Sequence, residues 1–202
     1  VGKALAKMHM AVANFGELKP NPLGQSSWKA LFDQCDQTAA NALQAGFAGE
    51  IARECDWLSE NWPPNLPQCA VHTDLFPDNV LIRGDQVGGL IDFYFACTDF
   101  RAYDLAVTHA AWSFTADGRH YLAEIGTALL EGYGAVIQLT DDEKQALPVL
   151  ARGASLRFLL TRLYDWINTP ADAMVTRKDP LAFYHRLKFY SNANSSALLG
   201  SA

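Results

Sequence analysis

The sequence predicts an α+β fold in which helices predominate and one small patch of strands lies in the middle of the chain. Apolar residues recur at three- and four-residue steps through most of the 202 residues, the spacing of helices that bury one face. Over residues 69–91 this period gives way to short apolar segments with β-branched residues, which are typical of strands. The length and a hydrophobic content of 50 % are those of one packed domain.

Helices are predicted on both sides of the strand patch. Leu5, Met8 and Val12 illustrate the pattern, because they fall on one face of the first helix. Pro63 and Pro64 end the last helix before the strands, since neither can donate the next helical hydrogen bond. The predicted helices cover residues 1–13, 28–43, 47–62, 102–114, 118–134, 140–168 and 171–191.

Three short strands are predicted in the central patch, over residues 69–72, 79–83 and 87–91. The turn residues Gly84, Asp85 and Gln86 separate the second strand from the third, and such a short connection predicts a hairpin.

Ser, Asn and Ala dominate residues 191–202, and chain ends of this composition commonly fray. We therefore expect one domain over residues 1–190 and a frayed tail over residues 191–202. No internal repeat or low-complexity tract interrupts the domain.

Charge and cysteine content limit the classes of partner. A net charge of −6 argues against binding to nucleic acid or to an anionic membrane, because either partner requires a concentrated basic patch. The four cysteines form no C-x-x-C pair, which favours reduced thiols over a zinc site. The sequence shows neither a spanning apolar segment nor a signal peptide, so we expect a cytoplasmic protein.

Polar side chains crowd into the strand patch in the order His72, Asp74, Asn79 and Asp92. Asp74 and Asn79 lie five positions apart on a loop that contains Pro77, and Asp92 follows at the end of a strand. Phosphoryl transfer from ATP requires Mg²⁺ on oxygen ligands and a carboxylate near the attacking hydroxyl. One asparagine and two aspartates in this arrangement meet that requirement.

The motif H-x-D-x-x-x-x-N followed by I-D-F resembles the catalytic and metal loops of the kinase-like phosphotransferases, which include aminoglycoside phosphotransferases and choline kinases. The segments VHTDLFPDNVLI, GLIDFYFAC, AYDLAVTHAAWSF and GASLRFLLTRLYDW look more narrowly like homoserine kinases of the bacterial kinase-like type. They cover about a quarter of the chain. The resemblance implies the mainly helical C-terminal lobe of the protein kinase-like fold, and ATP- and Mg²⁺-dependent phosphorylation of L-homoserine to O-phospho-L-homoserine in threonine biosynthesis.

Residue roles follow from this resemblance. Asp74 is implied to be the catalytic base, and Asn79 and Asp92 are implied to bind Mg²⁺. His72 is expected to tie the loop to its surroundings, and Asp104 to brace the loop from the following helix.

Three further residues are candidates for contact with the acceptor. Tyr94 stands where other members often carry an acidic residue, and Trp112 lies one helix beyond the metal loop. Arg157 is chosen over Arg162 as a clamp for a substrate carboxylate. These two arginines are five residues apart, which turns about 140° around a helix, so they are not expected to face the same site.

The glycine-rich loop and strand lysine that hold ATP in this family are not found in the sequence, so we expect that the N-terminal nucleotide lobe is absent from this chain. Three alternatives stay open. The acceptor could be choline, ethanolamine or an aminoglycoside; the chain could be a non-catalytic binding module; or it could be a fragment with a structural role alone. The sequence does not determine the oligomeric state.

Overall fold

A single long helix forms the central support of the structure, a computed structural model that describes residues 1–170, 173–174 and 176–199. This helix, α7, runs over Asp141–Asn168. It begins at a capping box, in which the Thr140 hydroxyl accepts from the Glu143 N–H and the Glu143 carboxylate accepts from the Thr140 N–H. Its buried face includes Leu156, Leu159, Leu160 and Leu163.

The described residues confirm a mainly helical α+β fold. The other helices are α1 (Gly2–Ala11), α2 (Trp28–Phe32), α3 (Gln37–Leu43), α4 (Phe47–Asn61), α5 (Arg101–Trp112), α6 (Ala123–Gly134), α8 (Leu181–Asn192) and α9 (Ser195–Leu199). The helix predicted over 28–43 is divided into α2 and α3 because the Asp36 side chain accepts the N–H groups of Thr38 and Ala39 and starts a new helix.

Two small antiparallel sheets form the strand patch. β2 (Val80–Arg83) pairs with β3 (Gln86–Leu90), which confirms the predicted hairpin. β1 (Gln68–Val71) pairs with β4 (Cys97–Phe100), a strand that the sequence analysis did not assign.

The pairing of β1 with β4 brings two loops together. The register places Val71 opposite Cys97, so the segment after β1 lies beside the segment before β4. We call these the His72 loop (residues 72–79) and the Asp92 loop (residues 91–96). A hydrogen bond of 3.0 Å from the Ile91 N–H to the Asn79 carbonyl joins the ends of the two loops.

The core behind the loops contains a cluster of aromatic side chains. Trp28 and Tyr103 are buried, and the Trp62 ring meets both in edge-to-face contacts at 5.1 and 5.6 Å. Gly153 of α7 lies against this cluster, where a Cβ atom would meet the Trp62 ring and approach Trp28 to 2.7 Å. Only glycine therefore allows α7 to pack this closely.

The C-terminal region differs from the predictions in two places. Helix α8 begins only after Pro180, whereas a helix was predicted over residues 171–191; residues 171, 172 and 175 lie outside the described part. The predicted tail over 191–202 is not frayed through Leu199, because α9 packs against α6 and α7 and Leu198 is 3 % exposed. Residues 200–202 lie outside the described part.

All four cysteines, Cys35, Cys55, Cys69 and Cys97, are free thiols. Burial raises the pKa of Cys55 to about 12, so this thiol is protonated at neutral pH. Within the described ranges, no helix is both long enough and apolar enough to cross a membrane.

Candidate active site

The His72 loop starts with a left-handed residue that a buried carboxylate holds in place. Thr73 has a φ of 59°, a conformation that costs free energy for a residue with a branched side chain. Asp104 of α5 is fully buried and accepts hydrogen bonds from the backbone N–H groups of His72 at 2.8 Å and Thr73 at 2.7 Å. These two bonds fix the direction in which the chain continues to Asp74.

The Asp104 carboxylate stays ionised because a histidine and the loop N–H groups compensate its burial. Burial alone would raise the pKa of Asp104, but the hydrogen bond and charge of His9 and the N–H groups of His72 and Thr73 lower it overall. His9 Nε2 lies 3.0 Å from the carboxylate, and His9 Nδ1 lies 2.8 Å from the Tyr133 hydroxyl. The sequence analysis expected Asp104 of α5 to contact the loop. It did not anticipate that His9 of α1 and Tyr133 of α6 would support Asp104.

The His72 ring connects the two loops. Its Nδ1 accepts a hydrogen bond of 3.2 Å from the Asp74 N–H, so Nε2 carries the proton and donates it to the Ile91 carbonyl at 2.9 Å. The ring also packs against Phe93 with 4.7 Å between centroids. His72 is fully buried and therefore has the surroundings expected of a residue that ties the loop down.

Asp74 and Asn79 lie together on the His72 loop. The Asn79 side-chain NH₂ donates to the Asp74 carbonyl at 2.7 Å and lies 3.4 Å from the Asp74 carboxylate. This commitment of the nitrogen leaves the amide oxygen of Asn79 as a ligand for a cation. Burial raises the pKa of the half-buried Asp74 carboxyl above its ordinary value, an effect that the Arg157 cation only partly offsets.

Asp92 presents its carboxylate from the neighbouring loop. Its backbone is left-handed, with φ 62° and ψ 63°, directly after β3. It precedes a short 3-10 helix, but its side chain makes no capping hydrogen bond there. The Asp92 charge contributes to the raised pKa of Asp74, so the two carboxylates lie near each other.

The oxygen atoms of Asn79 and Asp92 suit Mg²⁺, which prefers oxygen ligands and usually binds through one or two carboxylates together with substrate phosphates. In the described ranges, no group of three His, Cys, Asp or Glu side chains could hold a metal ion by itself. A pair of protein ligands completed by phosphate oxygens fits both observations.

The two loops and α7 line a cavity of about 660 Å³, and Asp74, Asn79 and Asp92 are all part of its lining. Its carboxylates come from Asp74, Asp78, Asp92 and Asp165. Its cationic groups come from Arg157, Arg162, Arg177 and Lys178. Its aromatic walls come from Phe76, Phe95 and Phe158. Three of the four carboxylates therefore come from the loops, whereas Asp165 and the four cations come from α7 and the segment that follows it.

Arg157 is bound to the loop, although it was chosen as a clamp for a substrate carboxylate. Its guanidinium donates a hydrogen bond to the Thr73 carbonyl and lies 4.2 Å from the Phe158 ring centroid and 5.5 Å from that of Phe95. Arg157 is only 2 % exposed. These contacts favour a positioning role for Arg157, because it holds the residue that precedes Asp74.

Tyr94 and Trp112 do not line the cavity, which corrects their selection as acceptor contacts. Tyr94 is 79 % exposed, packs its ring edge-to-face on Phe95 at 5.0 Å and is not among the residues that line the cavity. Trp112 donates its indole N–H to the Leu75 carbonyl at 2.9 Å and supports the His72 loop from behind.

Arg162 and Asp165 are cavity residues that the sequence analysis missed. The expectation that Arg157 and Arg162 would not serve one site is wrong, since both line the cavity. A 140° offset around the helix places one long side chain at each margin of a wide cavity, where both can reach it. The signal that could have revealed them is the polar strip of Thr161, Arg162, Asp165 and Thr169 beside the apolar face of α7.

Comparisons with known proteins identify relatives of this chain. Residues 1–139 match the phosphotransferase enzyme family (APH). Homoserine kinases from Zymomonas mobilis and Rhizobium etli are 47 % and 48 % identical to the chain. The matches cover 98 % and 99 % of this chain but 61 % and 62 % of those proteins.

Solved structures support the fold. The structure resembles that of a choline/ethanolamine kinase family protein from Mesorhizobium loti, with a TM-score of 0.62 and 18 % identity over 99 % of this chain and 65 % of that one. It also resembles an amicoumacin kinase, with a TM-score of 0.63 and 12 % identity over 96 % of this chain and 58 % of that one. Since the family match covers well over half of its residues, this chain belongs to the phosphotransferase enzyme family.

Proposed function

We propose that this chain is the acceptor-binding lobe of an enzyme that phosphorylates the side-chain hydroxyl of L-homoserine with ATP, giving O-phospho-L-homoserine in threonine biosynthesis. The observation that carries the proposal is the cavity that Asp74, Asn79 and Asp92 line together with four cationic side chains. The identity of 47–48 % to two homoserine kinases supports the choice of acceptor. The enzyme would act in the cytoplasm, where small-molecule biosynthesis takes place.

Asp74 would act as the general base. Its carboxylate lies in the cavity, and the hydrogen bonds of Asp104, His72 and Asn79 around the loop hold its backbone in place. Burial raises the pKa of Asp74, which makes its carboxylate a stronger acceptor for the hydroxyl proton than an exposed aspartate. Asp74 thereby orients the hydroxyl and removes its proton as the new oxygen–phosphorus bond forms.

Asn79 and Asp92 would hold Mg²⁺. When bound, this ion neutralises the charge that develops on the transferred phosphate. Asp92, whose backbone is left-handed, lines the same cavity as Asn79. Their shared position in one cavity supports the proposal that they act together as ligands.

The nucleotide would be held mainly by residues outside this sequence. The chain spans about three fifths of the homoserine kinases that it matches, and the sequence contains no G-x-G-x-x-G or G-x-x-x-x-G-K-[ST] motif. We propose that an N-terminal lobe supplies the glycine-rich loop and the lysine that bind the phosphates.

The charges of the cavity favour an amino-acid acceptor over a purely cationic alcohol. Arg162, Arg177 and Lys178 are three of the cations that line it. They can attract the carboxylate of an amino-acid acceptor, a group that choline, ethanolamine and an aminoglycoside lack.

The test is an ADP-release assay on the complete protein that carries this chain, with ATP, Mg²⁺ and each acceptor in turn. The acceptors are L-homoserine, L-serine, choline, ethanolamine and an aminoglycoside. The proposal predicts a kcat/KM for L-homoserine at least 100-fold above that of the cationic alcohols. Preference for a cationic alcohol would overturn the acceptor. Ligand binding in a thermal-shift assay without ADP release from any acceptor would instead favour a non-catalytic binding module.

A further inference from the structure

Arg162 lies in the cavity as a partly desolvated cation without an acidic partner. Its guanidinium makes one weak hydrogen bond, at 3.3 Å, to the Asp179 carbonyl, and it packs over the Phe183 ring at 4.5 Å. Among the described residues, no carboxylate forms an ion pair with it. Burial and the charge of Arg186 lower the pKa of Arg162 to about 10, which shows how poorly its charge is compensated.

Arg162 lacks the acidic partner that two other arginines at the edge of the core have. Arg101 forms a two-pronged ion pair with Glu143 at 2.7 and 2.8 Å. Arg152 forms an equivalent pair with Glu54 at 2.7 and 2.9 Å.

The buried Arg157 and Arg186 also form no ion pair with a described residue, but Arg157 is bound to the Thr73 carbonyl and Arg186 donates three hydrogen bonds to backbone carbonyls at 2.6–3.1 Å. Since desolvation of an unpaired guanidinium is costly, the free donors of Arg162 are placed to bind an anion that enters the cavity.

Asp165 provides the opposite charge one helical turn away. It lies three residues after Arg162 on α7, and residues at this spacing have Cβ atoms roughly 5–6 Å apart. Both side chains line the cavity, and they form no ion pair with each other. Because Arg162 and Asp165 are adjacent but form no ion pair with each other, their opposite charges are complementary to those of a zwitterion.

Arg162 and Asp74 lie close enough for their charges to interact, because Asp74 opposes the lowering of the Arg162 pKa. An acceptor whose hydroxyl approaches Asp74 therefore extends its other end toward α7. This end of L-homoserine carries an ammonium and a carboxylate on one carbon atom.

We propose that Arg162 binds the α-carboxylate and Asp165 the α-ammonium of the acceptor, so that this pair on α7 selects an amino acid over other alcohols. The proposal rests on the proposed function and names the residues that determine its specificity.

The test uses the complete protein with Arg162→Met and Asp165→Asn, measured with L-homoserine and ATP. Arg162→Met is expected to raise the KM for L-homoserine about 10- to 100-fold, which corresponds to the loss of one charged hydrogen bond. It should change the KM for ATP less than threefold. Arg162→Lys keeps the charge but loses the two-pronged geometry, so its effect should be intermediate. Melting temperatures report whether each variant is folded.

Two fragments of the acceptor, used as competitive inhibitors, separate the two roles. 4-Hydroxybutanoate carries only the carboxylate, and 3-aminopropan-1-ol carries only the ammonium. Arg162→Met should weaken inhibition by 4-hydroxybutanoate alone, and Asp165→Asn should weaken inhibition by 3-aminopropan-1-ol alone. The matched control is Arg119→Met, because Arg119 is exposed, does not line the cavity and lies 3.7 Å from the Asp117 carboxylate. This control should change the KM for L-homoserine less than threefold.

Equal weakening of both fragments by Arg162→Met, or a rise in the KM for ATP as large as that for L-homoserine, would overturn the inference. An unchanged KM for L-homoserine in Arg162→Met and Arg162→Lys would do the same. In these cases the wild-type protein still phosphorylates L-homoserine and the proposed function stands. A wild-type protein that releases no ADP with L-homoserine would overturn the proposed function, and the inference with it.

Discussion

Asp104 Oδ1 accepts a 2.7 Å hydrogen bond from the backbone N–H of Thr73, one of two non-glycine residues with positive φ in the described ranges. The two residues are 31 positions apart in the sequence. A left-handed conformation of this kind persists only where its surroundings fix it, and Asp104 supplies that constraint from a fully buried position. The geometry of Asp74, the next residue along the chain, therefore depends on a side chain from α5.

Asp104→Asn should destabilise the protein and slow the reaction. The amide can accept one loop N–H through its oxygen, but its NH₂ group faces the second donor and leaves it unpaired. Breaking a buried network of this kind lowers the free energy of unfolding by about 3–5 kcal/mol. Urea denaturation measures this change, and the ADP-release assay measures the accompanying loss of kcat.

The matched control for Asp104→Asn is Asp33→Asn, because Asp33 is an exposed residue that pairs with Lys29 on the surface. It should change stability little, since exposed ion pairs contribute little. Equal losses in the two variants would contradict the role assigned to Asp104.

Gly153→Ala should destabilise the core. The added methyl group would overlap the Trp62 ring and approach Trp28 to 2.7 Å, so α7 or the indoles must move, at a cost of about 1–3 kcal/mol. Gly49→Ala in α4 is the matched control, because its Cβ would meet only the Arg53 guanidinium at 3.6 Å. Alanine should stabilise that helix by about 0.5–1 kcal/mol. Urea denaturation that gives both variants the same sign would contradict the packing at Gly153.

Stability should fall as the pH drops from about 6.5 to 4, in part because of His109. Burial lowers the pKa of His109 to about 4 from a value of 6.5. Between these values the unfolded chain binds a proton that the folded protein does not, so acid favours unfolding. This one group accounts for about 3 kcal/mol lost by pH 4.

Denaturation of the wild type and of His109→Gln across this pH range measures the contribution. The variant should lose less stability on acidification, because it lacks the titrating ring. The same dependence on pH in both proteins would show that His109 is not responsible.

Asp92→Asn should raise the Mg²⁺ concentration needed for half-maximal ADP release at least tenfold, because a neutral amide is a weaker ligand for a hard cation than a carboxylate. Asp92 is exposed and caps no helix, so the melting temperature should not change. Asp85→Asn, in the exposed turn between β2 and β3, is the control and should leave the Mg²⁺ requirement unchanged. An unchanged Mg²⁺ requirement in Asp92→Asn would contradict the ligand assignment.

The features that could be predicted are those that depend on residues close to one another along the chain. Most helices and the β2–β3 hairpin follow from local spacing and turn residues, and the spacing of Asp74, Asn79 and Asp92 predicted that these residues would meet. β4 was missed because it is four residues long and pairs with a strand more than twenty residues away. Local periodicity carries no signal for such a pairing.

The position of Arg162 in the cavity was missed for a related reason. Whether Arg162 reaches the cavity depends on how α7 packs against the His72 loop, which the helical angle between two arginines does not determine. Arg157 lines the cavity, but its bond to the Thr73 carbonyl is a tertiary contact across 84 positions. Aromatic residues such as Trp112 are equally suited to a pocket wall and to packing behind a loop, so their type alone does not distinguish the two.

The most direct test of the account is the effect of Asp74→Asn on phosphorylation of L-homoserine by the complete protein. We expect kcat to fall about 10²- to 10⁴-fold, the usual contribution of a general base, and the melting temperature not to decrease. Asp78→Asn, on the same loop but exposed, should keep kcat within a few-fold of the wild type. A kcat for Asp74→Asn within tenfold of the wild type would show that Asp74 is not the base, and the account of this site would be wrong.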